Sequence, residues 1–347
     1  MPYELANRLV VGIASSALFD LRESDAYFRE HGEASYREYQ DDHIDDTLQP
    51  GVAFPFIKRL LQLNDLRPTD PPDPLVEVMV LSRNDPSTGL RVMRSVAHHG
   101  LAISRAVFTQ GKAPYQYIGA LEMSLFLSGH RPDVDDAIGA GFPAGHVLPS
   151  QAAYEEGDQS LVVAFDFDGV LANDDSERVF KTSDGLDSYM EHEFSHRLDA
   201  LGEGPLKQLL ADLNTIQRLE EAKRLADSSY TPRLRIALVT ARSAPAHERA
   251  IRSMRSWGVN VNDAFFLGGI EKAKVLKVMR PHIFFDDQTT HLDPVADFVA
   301  GVHIPYGVAN ELGGPLGRVD LAQPAAEVVV DAVAHELATL TVGDGDA

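Results

Sequence analysis

The chain repeats itself once, and this constrains its fold more than any other feature. Residues 9–28 (LVVGIASSALFDLRESDAYF) align without a gap on residues 161–180 (LVVAFDFDGVLANDDSERVF), at an offset of 152. Residues 80–108 align on residues 238–266 at an offset of 158. Within that second match, Arg91, Arg94, Ser95, Gly100, Ala106 and Phe108 meet Arg249, Arg252, Ser253, Gly258, Ala264 and Phe266. LFLSG (125–129) meets IFFDD (283–287), and AGFPAG with Pro149 meets ADFVAG with Pro305. The order is kept and the offset barely drifts, which points to duplication. The period is far longer than that of a solenoid repeat. The chain has 347 residues, room for two units at about 150 residues each. The expected units are residues 1–150 and 151–347, meeting near the polar run QAAYEEGDQ (151–159).

Each copy reads as apolar runs alternating with helical patterns. In the second copy, Leu161–Phe165, Leu234–Val239, Ala264–Leu267 and His282–Phe285 are short apolar runs. Leucines at helical spacing run from Leu206 to Leu225, and a further helix is expected over about Ile270 to Met279. Pro245 stands near a helix start and Gly258 beyond its end, the usual asymmetry. Apolar strands alternating with helices imply parallel sheets covered on both faces. The expected fold is therefore α/β, two Rossmann-like units with parallel sheets flanked by helices. RPTDPPDP (67–74) reads as a surface connection, and Gly343–Ala347 as a frayed end.

Composition narrows the function. The formal charge is −21, which disfavours binding to a phosphate backbone, so no nucleic-acid partner is expected. There is no cysteine, hence no disulfide, thiolate metal site or cysteine nucleophile. No apolar run approaches the ~18 residues of a membrane span. Leu9–Phe19 mimics a secretory leader but lacks a strongly basic start, and its recurrence in the second copy favours a buried first strand. A cytoplasmic protein is expected.

The chemistry concentrates in FDFDGVLANDDSE (165–177). Asp166 and Asp168 follow a strand, at the carboxyl end of the sheet where parallel α/β proteins bind ligands. Two crowded carboxylates repel unless a cation separates them, which suggests Mg²⁺. Taken alone, the spacing also fits an acidic strand-to-helix loop. Val239-Thr240-Ala241-Arg242 then ends the next strand with a hydroxyl. Lys272 opens a helix after Gly268-Gly269, with Lys274 close enough to compete, and Asp286-Asp287 ends another strand.

Nucleophile, hydroxyl, lysine and acidic pair in this order resemble the four motifs of the haloacid-dehalogenase (HAD) superfamily of phosphotransferases. LVVGIASSALFDL, LSRNDPSTGLRV, PYQYIGALEMSLFLS, LVTARSAPAHERAIRSMRSWGV, AFFLGG and IFFDDQ narrow this. Together they resemble the cytosolic type I 5′-nucleotidase family over roughly residues 5–310. Animal members carry a first motif closer to DGDAV, against DFDGV here. Both aspartates survive that difference, but substrate preference does not transfer with the resemblance.

The resemblance implies two HAD-like units, the first degenerate and non-catalytic, and a small, mainly helical cap inserted at about 174–230. It implies a Mg²⁺-dependent 5′-nucleotidase acting on nucleoside 5′-monophosphates. In that reading Asp166 attacks phosphorus and Asp168 is general acid and base. Asp166, the backbone carbonyl of Asp168, and Asp286 hold Mg²⁺, with Asp287 acting through water. Thr240, backbone amides near Ala241, and Lys272 hold the phosphate. Asp175, Ser176, Glu177, Tyr189 and Arg242 are candidates for substrate contact. The acidic ones serve equally well as helix caps, and Arg242 as a partner for a carboxylate. A homo-oligomer is left open. The rivals are a HAD phosphatase for another phosphomonoester, and a non-catalytic nucleotide-binding regulator. A third is a zinc protease, because His192-Glu193-Phe194-Ser195-His196 fits HExxH. No third ligand follows at the expected spacing, and the segment falls inside the expected cap.

Overall fold

The computed structural model describes residues 3–67, 73–152, 157–182 and 186–310. Most of 67–74, part of the expected junction and the chain end lie outside the described residues. The first half runs β1 (Leu9–Ile13), α1 (Ser15–Leu18), α2 (Arg22–Asp42), α3 (Phe54–Gln62), β2 (Val76–Ser82), α4 (Thr88–His98), β3 (Arg105–Phe108), α5 (Tyr117–Ala120), β4 (Leu125–Ser128), α6 (Arg131–Gly139) and β5 (Ala144–Val147). The second runs β6 (Leu161–Phe165), α7 (Asp175–Thr182), α8 (Leu186–Ser195), α9 (Lys207–Ala226), β7 (Leu234–Thr240), α10 (His247–Ser256), β8 (Asp263–Phe266), α11 (Lys272–Met279), β9 (Ile283–Asp286), α12 (Thr289–Leu292) and β10 (Gly301–His303).

The expected strands form, but in one sheet rather than two. Its order is β3-β2-β1-β4-β5-β10-β9-β6-β7-β8. Pairing is parallel within each set of five, and only β5 and β10 pair antiparallel. The two sets therefore carry the same internal order and run in opposite directions. Register places Ser128, His146, His303 and Asp286 in one row across the sheet. The ends of β4 and β9 thus come to the same line.

The five residues of β1 are all buried, as a central strand requires, which settles Leu9–Ile13 as core. On one face of the second set, Ala164, Ala237, Val239, Leu276, Phe284 and Leu292 form a closed apolar cluster. At about 1.5–3 kcal/mol for each large apolar side chain removed from water, such clusters hold the sheet together.

The halves are also interlocked. Helix α3 packs against β6, and α9 against β1. Leu209, Leu210, Leu213 and Ile216 of α9 are buried. Within the stretch 174–230 expected as a cap, α9 belongs to the layer that covers the sheet, while α7 and α8 precede it. All described residues fall in one compact unit. A cut near residue 150 would strip apolar helices from both halves.

Hydrogen bonds recur between the halves. The amide of Ala14 donates to Leu127 O (2.8 Å), and that of Asp166 to Phe285 O (2.8 Å). Leu48 N–H donates to Ser95 Oγ, and Leu201 N–H to Ser253 Oγ. Arg91 Nη1 donates to Gln40 Oε1 where Arg249 Nη1 meets Glu193 Oε1. The catalytic-type residues do not recur. Ala14 and Ser16 stand where the second half has Asp166 and Asp168, and the hydroxyls of Ser15 and Ser82 bond to each other at 3.0 Å.

A pH-sensitive tie joins β6 to β9. The Val162 amide donates to His282 Nδ1 at 2.9 Å, so the ring must be neutral at that nitrogen. Burial, with Arg59 next, holds the His282 pKa down at about 4. A base with a depressed folded pKa stabilises the fold above its ordinary value of about 6.5, and that stability is lost as pH falls toward 4. The ceiling is about 3 kcal/mol, and about 1–2 kcal/mol after allowing for partial exposure. His282→Asn can accept the same bond without titrating. In urea unfolding at pH 7 and pH 4.5 it is expected to lose less stability than wild type, by about that amount. An equal loss in both proteins would remove His282 from the acid response.

Candidate active site

The residues named by the four motifs converge at the carboxyl ends of β6, β7 and β9. Strand β6 ends at Phe165, and the next three residues leave the sheet with Phe167 pinned beneath them. Phe167 is fully buried, stacked on Trp257 at 6.0 Å and lying under the guanidinium of Arg242. The apolar residue between the aspartates thus anchors the loop and turns the two carboxylates to different partners. Gly169 then takes φ +71°, and a Cβ there would lie 2.8 Å from the Asp287 carboxyl carbon. Only glycine lets the loop lie against Asp287 in this way.

Asp166, Lys272 and Asp286 form a buried triad. Lys272 Nζ lies 2.9 Å from Asp166 Oδ2 and 2.7 Å from Asp286 Oδ2, and all three side chains are almost fully enclosed. Burial alone would lower the Lys272 ammonium, but Asp166 and Asp286 outweigh it and raise its pKa. Burial pushes the Asp166 carboxyl up to about 6, against the pull of Lys272. Asp286 is held below its ordinary value: burial works the other way, and Lys272 and His291 overcome it. Lys274 is two-thirds exposed, and among the described residues its ammonium pairs with Glu271 at 3.7 Å. Lys272, not Lys274, is the lysine enclosed with the motif carboxylates.

The residues fit a divalent cation. Asp166, Asp286 and His291 each bring one ligand atom within 4.8 Å of the others. Yet both oxygens of Asp286 are taken, one by Lys272 and the other by His291 Nδ1 (3.0 Å) and the Gln288 amide (2.9 Å). Four buried oxygens are left without a partner among the described residues: Asp166 Oδ1, both oxygens of Asp287, and Glu177 Oε2. Burial, then the charges of Asp286, Asp166 and Glu177, pushes the Asp287 carboxyl well up. An enclosed set of unpaired hard oxygens is what Mg²⁺ or Mn²⁺ relieves. Asp287, expected to reach the cation through water, contributes two of these unpaired oxygens.

The Asp168 carboxylate turns away from Lys272 to Arg242, which grips it through Nε and Nη2, both at 2.7 Å. Arg242 also donates to Glu193 Oε2 at 2.6 Å, and Arg249 to Glu193 Oε1 at 2.8 Å. Ser176 Oγ donates to the same oxygen at 2.9 Å. Glu193 has no exposure at all. Burial would raise its pKa, but Arg242, Ser176 and Arg249 hold it low. Among the substrate-contact candidates, Arg242 thus meets carboxylates, and Ser176 joins α7 to Glu193 of α8. Asp175 accepts from Asn173 Nδ2 at 2.6 Å at the start of α7. Tyr189 is buried against Phe180 (ring centroids 5.4 Å apart), within electrostatic reach of Arg242 and Asp168. Thr240 is buried, its Oγ1 accepting from the Arg242 amide at 3.2 Å, and Ala241 is exposed beside it.

The HExxH glutamate therefore ties α8 to Arg242, Arg249 and Ser176, with neither oxygen left for the role of a zinc-site base. The rings of His192 and His196 stack at 4.2 Å, and the first half carries the same pairing with Tyr39 and His43 at 4.1 Å. A stack that tolerates tyrosine is scaffold. The double variant His192→Ala, His196→Ala is expected to keep metal-dependent turnover within about threefold of wild type. Loss of a stoichiometric zinc together with all turnover would restore the protease reading.

Sequence reasoning missed several residues here. Arg249 stood in the repeat alignment opposite Arg91, and that match was a usable signal. His291 lies only four residues beyond Asp287. His303, whose Nε2 donates to Asp287 O at 2.9 Å, gave none. Its Nδ1 accepts from Arg131 of the first half at 3.2 Å, so that half braces the loop carrying Asp287.

A family model described as 5′-nucleotidase matches residues 1–311. The human protein named cytosolic 5′-nucleotidase 1B is 34% identical over 297 residues, covering 84% of this chain and 48% of that protein. The chain thus spans about half the length of this curated relative. No solved structure matches. With the family model over nearly all of the described residues and the four motifs gathered around one buried lysine, the chain belongs to the cytosolic type I 5′-nucleotidase family.

Proposed function

We propose that this protein hydrolyses nucleoside 5′-monophosphates to nucleoside and phosphate, through a phosphoaspartate on Asp166 and with Mg²⁺ bound. One observation carries the reading. Asp166 keeps one buried oxygen free while Lys272 holds the other, so a carboxylate is oriented and enclosed beside a fixed cation.

Asp166 Oδ1 attacks phosphorus, and the bond from phosphorus to the 5′-oxygen breaks. Asp168, oriented by Arg242, gives its proton to the departing oxygen. It then takes a proton from the water that attacks the phosphoaspartate, releasing phosphate and restoring Asp166. Lys272 offsets charge growing on the phosphoryl oxygens, and Thr240 with the backbone near Ala241 orients them. The bound divalent cation would be held by Asp166, the backbone of Asp168, and the Asp286-Asp287 pair, and it screens nucleophile from phosphate. Helices α7 and α8 form the cap, and Tyr189 lies on its inner side. A cytoplasmic location is supported by the word cytosolic in the human relative's name. The shared strand order and hydrogen bonds of the two halves support a duplication in which the first half lost its carboxylates.

The test is phosphate release from AMP, IMP, GMP, CMP, UMP and their deoxy forms, with and without Mg²⁺. Release is expected only with Mg²⁺ or Mn²⁺. Preference for a sugar phosphate would move the chain to another phosphatase class. Nucleotide binding without any turnover would make it a regulator.

A further inference from the structure

We propose that Glu177 is a further carboxylate of the cation site, carried in by the cap, so that cation binding and docking of α7 depend on each other. This rests on the reading above that a divalent cation binds beside Asp166 and Asp287.

Four buried carboxylate oxygens here lack a hydrogen-bond partner among the described residues: Asp166 Oδ1, both oxygens of Asp287, and Glu177 Oε2. Asp287 is only 1% exposed, so its two oxygens are sealed from water. Asp166 and Asp287 belong to loops at the end of the sheet. Glu177 does not; it sits in the first turn of α7, in the cap. Its other oxygen, Oε1, is fixed by Lys181 Nζ at 3.3 Å and by Gln288 Nε2 at 3.4 Å. Gln288 directly follows Asp287, so Glu177 is tied to the loop that carries the unpaired aspartate. Its charge is also among those that push the Asp287 carboxyl up.

The ion pair with Lys181 explains Oε1. It does not explain why Oε2 is shut away from water with no donor, an arrangement that disfavours the folded state. Nor does it explain why one more negative charge is brought toward Asp287. A divalent cation removes both difficulties. Mg²⁺ takes oxygen ligands and keeps several waters. Glu177 Oε2 is placed to ligate it or to accept a hydrogen bond from one of its waters, the kind of outer partner that tunes affinity. Without the cation, Glu177 and Asp287 repel and α7 is pushed outward. With it, the same two groups attract a common charge and α7 is drawn down. The cap is then latched by the cation before any nucleotide arrives.

The experiment uses the whole chain without nucleotide. Mg²⁺ affinity is read by calorimetry, Mn²⁺ affinity by electron paramagnetic resonance, and docking of α7 by hydrogen exchange over residues 175–182. In wild type, Mg²⁺ is expected to slow exchange in α7. Glu177→Gln is expected to bind either cation about tenfold or more weakly. Its α7 amides should already exchange slowly without Mg²⁺ and respond little to it. Lys181→Ala, which removes only the surface partner, should keep both the affinity and the response. Wild-type affinity in Glu177→Gln would overturn the proposal. So would a Lys181→Ala protein that reproduces the Glu177→Gln changes, since Glu177 would then be an ordinary helix ion pair. If wild type binds neither cation, the metal reading falls and this inference falls with it. Retained cation binding with no effect of Glu177→Gln overturns this inference alone.

Discussion

Asp166→Asn is expected to lower turnover of nucleoside monophosphates by about 10⁴- to 10⁶-fold, the range seen when the nucleophile of a covalent mechanism is removed. The amide is nearly the same size but has no ionised oxygen to attack phosphorus. The fold should survive, and the buried charges say why. Burial lifts the Asp166 carboxyl to about 6, so ionising it costs the folded state stability as pH rises from about 4 to 6. A neutral amide removes that cost. Lys272 then keeps Asp286, at 2.7 Å, as its partner. Stability measured by urea unfolding at pH 7 should fall by no more than about 1 kcal/mol, and a gain is consistent with the removed cost. The covalent step gives a second readout. Wild type quenched in acid during turnover should carry phosphate on Asp166, found by mass spectrometry of the peptide, and Asp166→Asn should carry none. Near wild-type turnover in the variant would move the nucleophile elsewhere.

The strands and the four motif residues were legible in the sequence because each depends on local pattern. The apolar runs Leu161–Phe165, Leu234–Val239 and His282–Phe285 form β6 (Leu161–Phe165), β7 (Leu234–Thr240) and β9 (Ile283–Asp286), within one residue at each end. The helix expected from Leu206 to Leu225 forms as Lys207–Ala226. What the sequence hid depends on pairing between distant segments. The joining of β5 to β10 rests on backbone hydrogen bonds that leave no residue signature. The exchange of α3 and α9 across the halves was hidden too, because an apolar helix face does not say which strand it will cover. The same holds in the site. The sequence offered Asp166 and Asp168 as a matched pair. Phe167, locked between Trp257 and Arg242, sends them to different cations. Glu193 drew notice for the wrong reason, since its helical neighbours are histidines while its partners lie 49 and 56 residues away.

Lys272→Ala is expected to damage both chemistry and fold, and the two effects separate cleanly. In the folded chain the ammonium stands between Asp166 and Asp286, with 2% of its side chain exposed. Its removal leaves two enclosed carboxylates without the nearest positive charge. Breaking a buried pair from one side costs about 3–5 kcal/mol. A divalent cation placed beside Asp166 supplies part of the missing charge, so Mg²⁺ should raise the variant's melting temperature more than it raises wild type's. It cannot replace the lysine at the phosphoryl oxygens. With Mg²⁺ saturating and the fold intact, kcat/KM should therefore still fall by about 10³-fold, the size of effect seen when a positioned charge is removed from a transition state. Lys272→Met keeps the length without the charge and should fail in the same way, which excludes a cavity as the cause. Lys274→Ala is the control, because that ammonium is solvated and its contact with Glu271 at 3.7 Å is weak. Its turnover should stay within about twofold of wild type. If Lys274→Ala loses activity while Lys272→Ala retains it, the helix α11 presents the other lysine to phosphate, and the buried triad is a structural ion cluster.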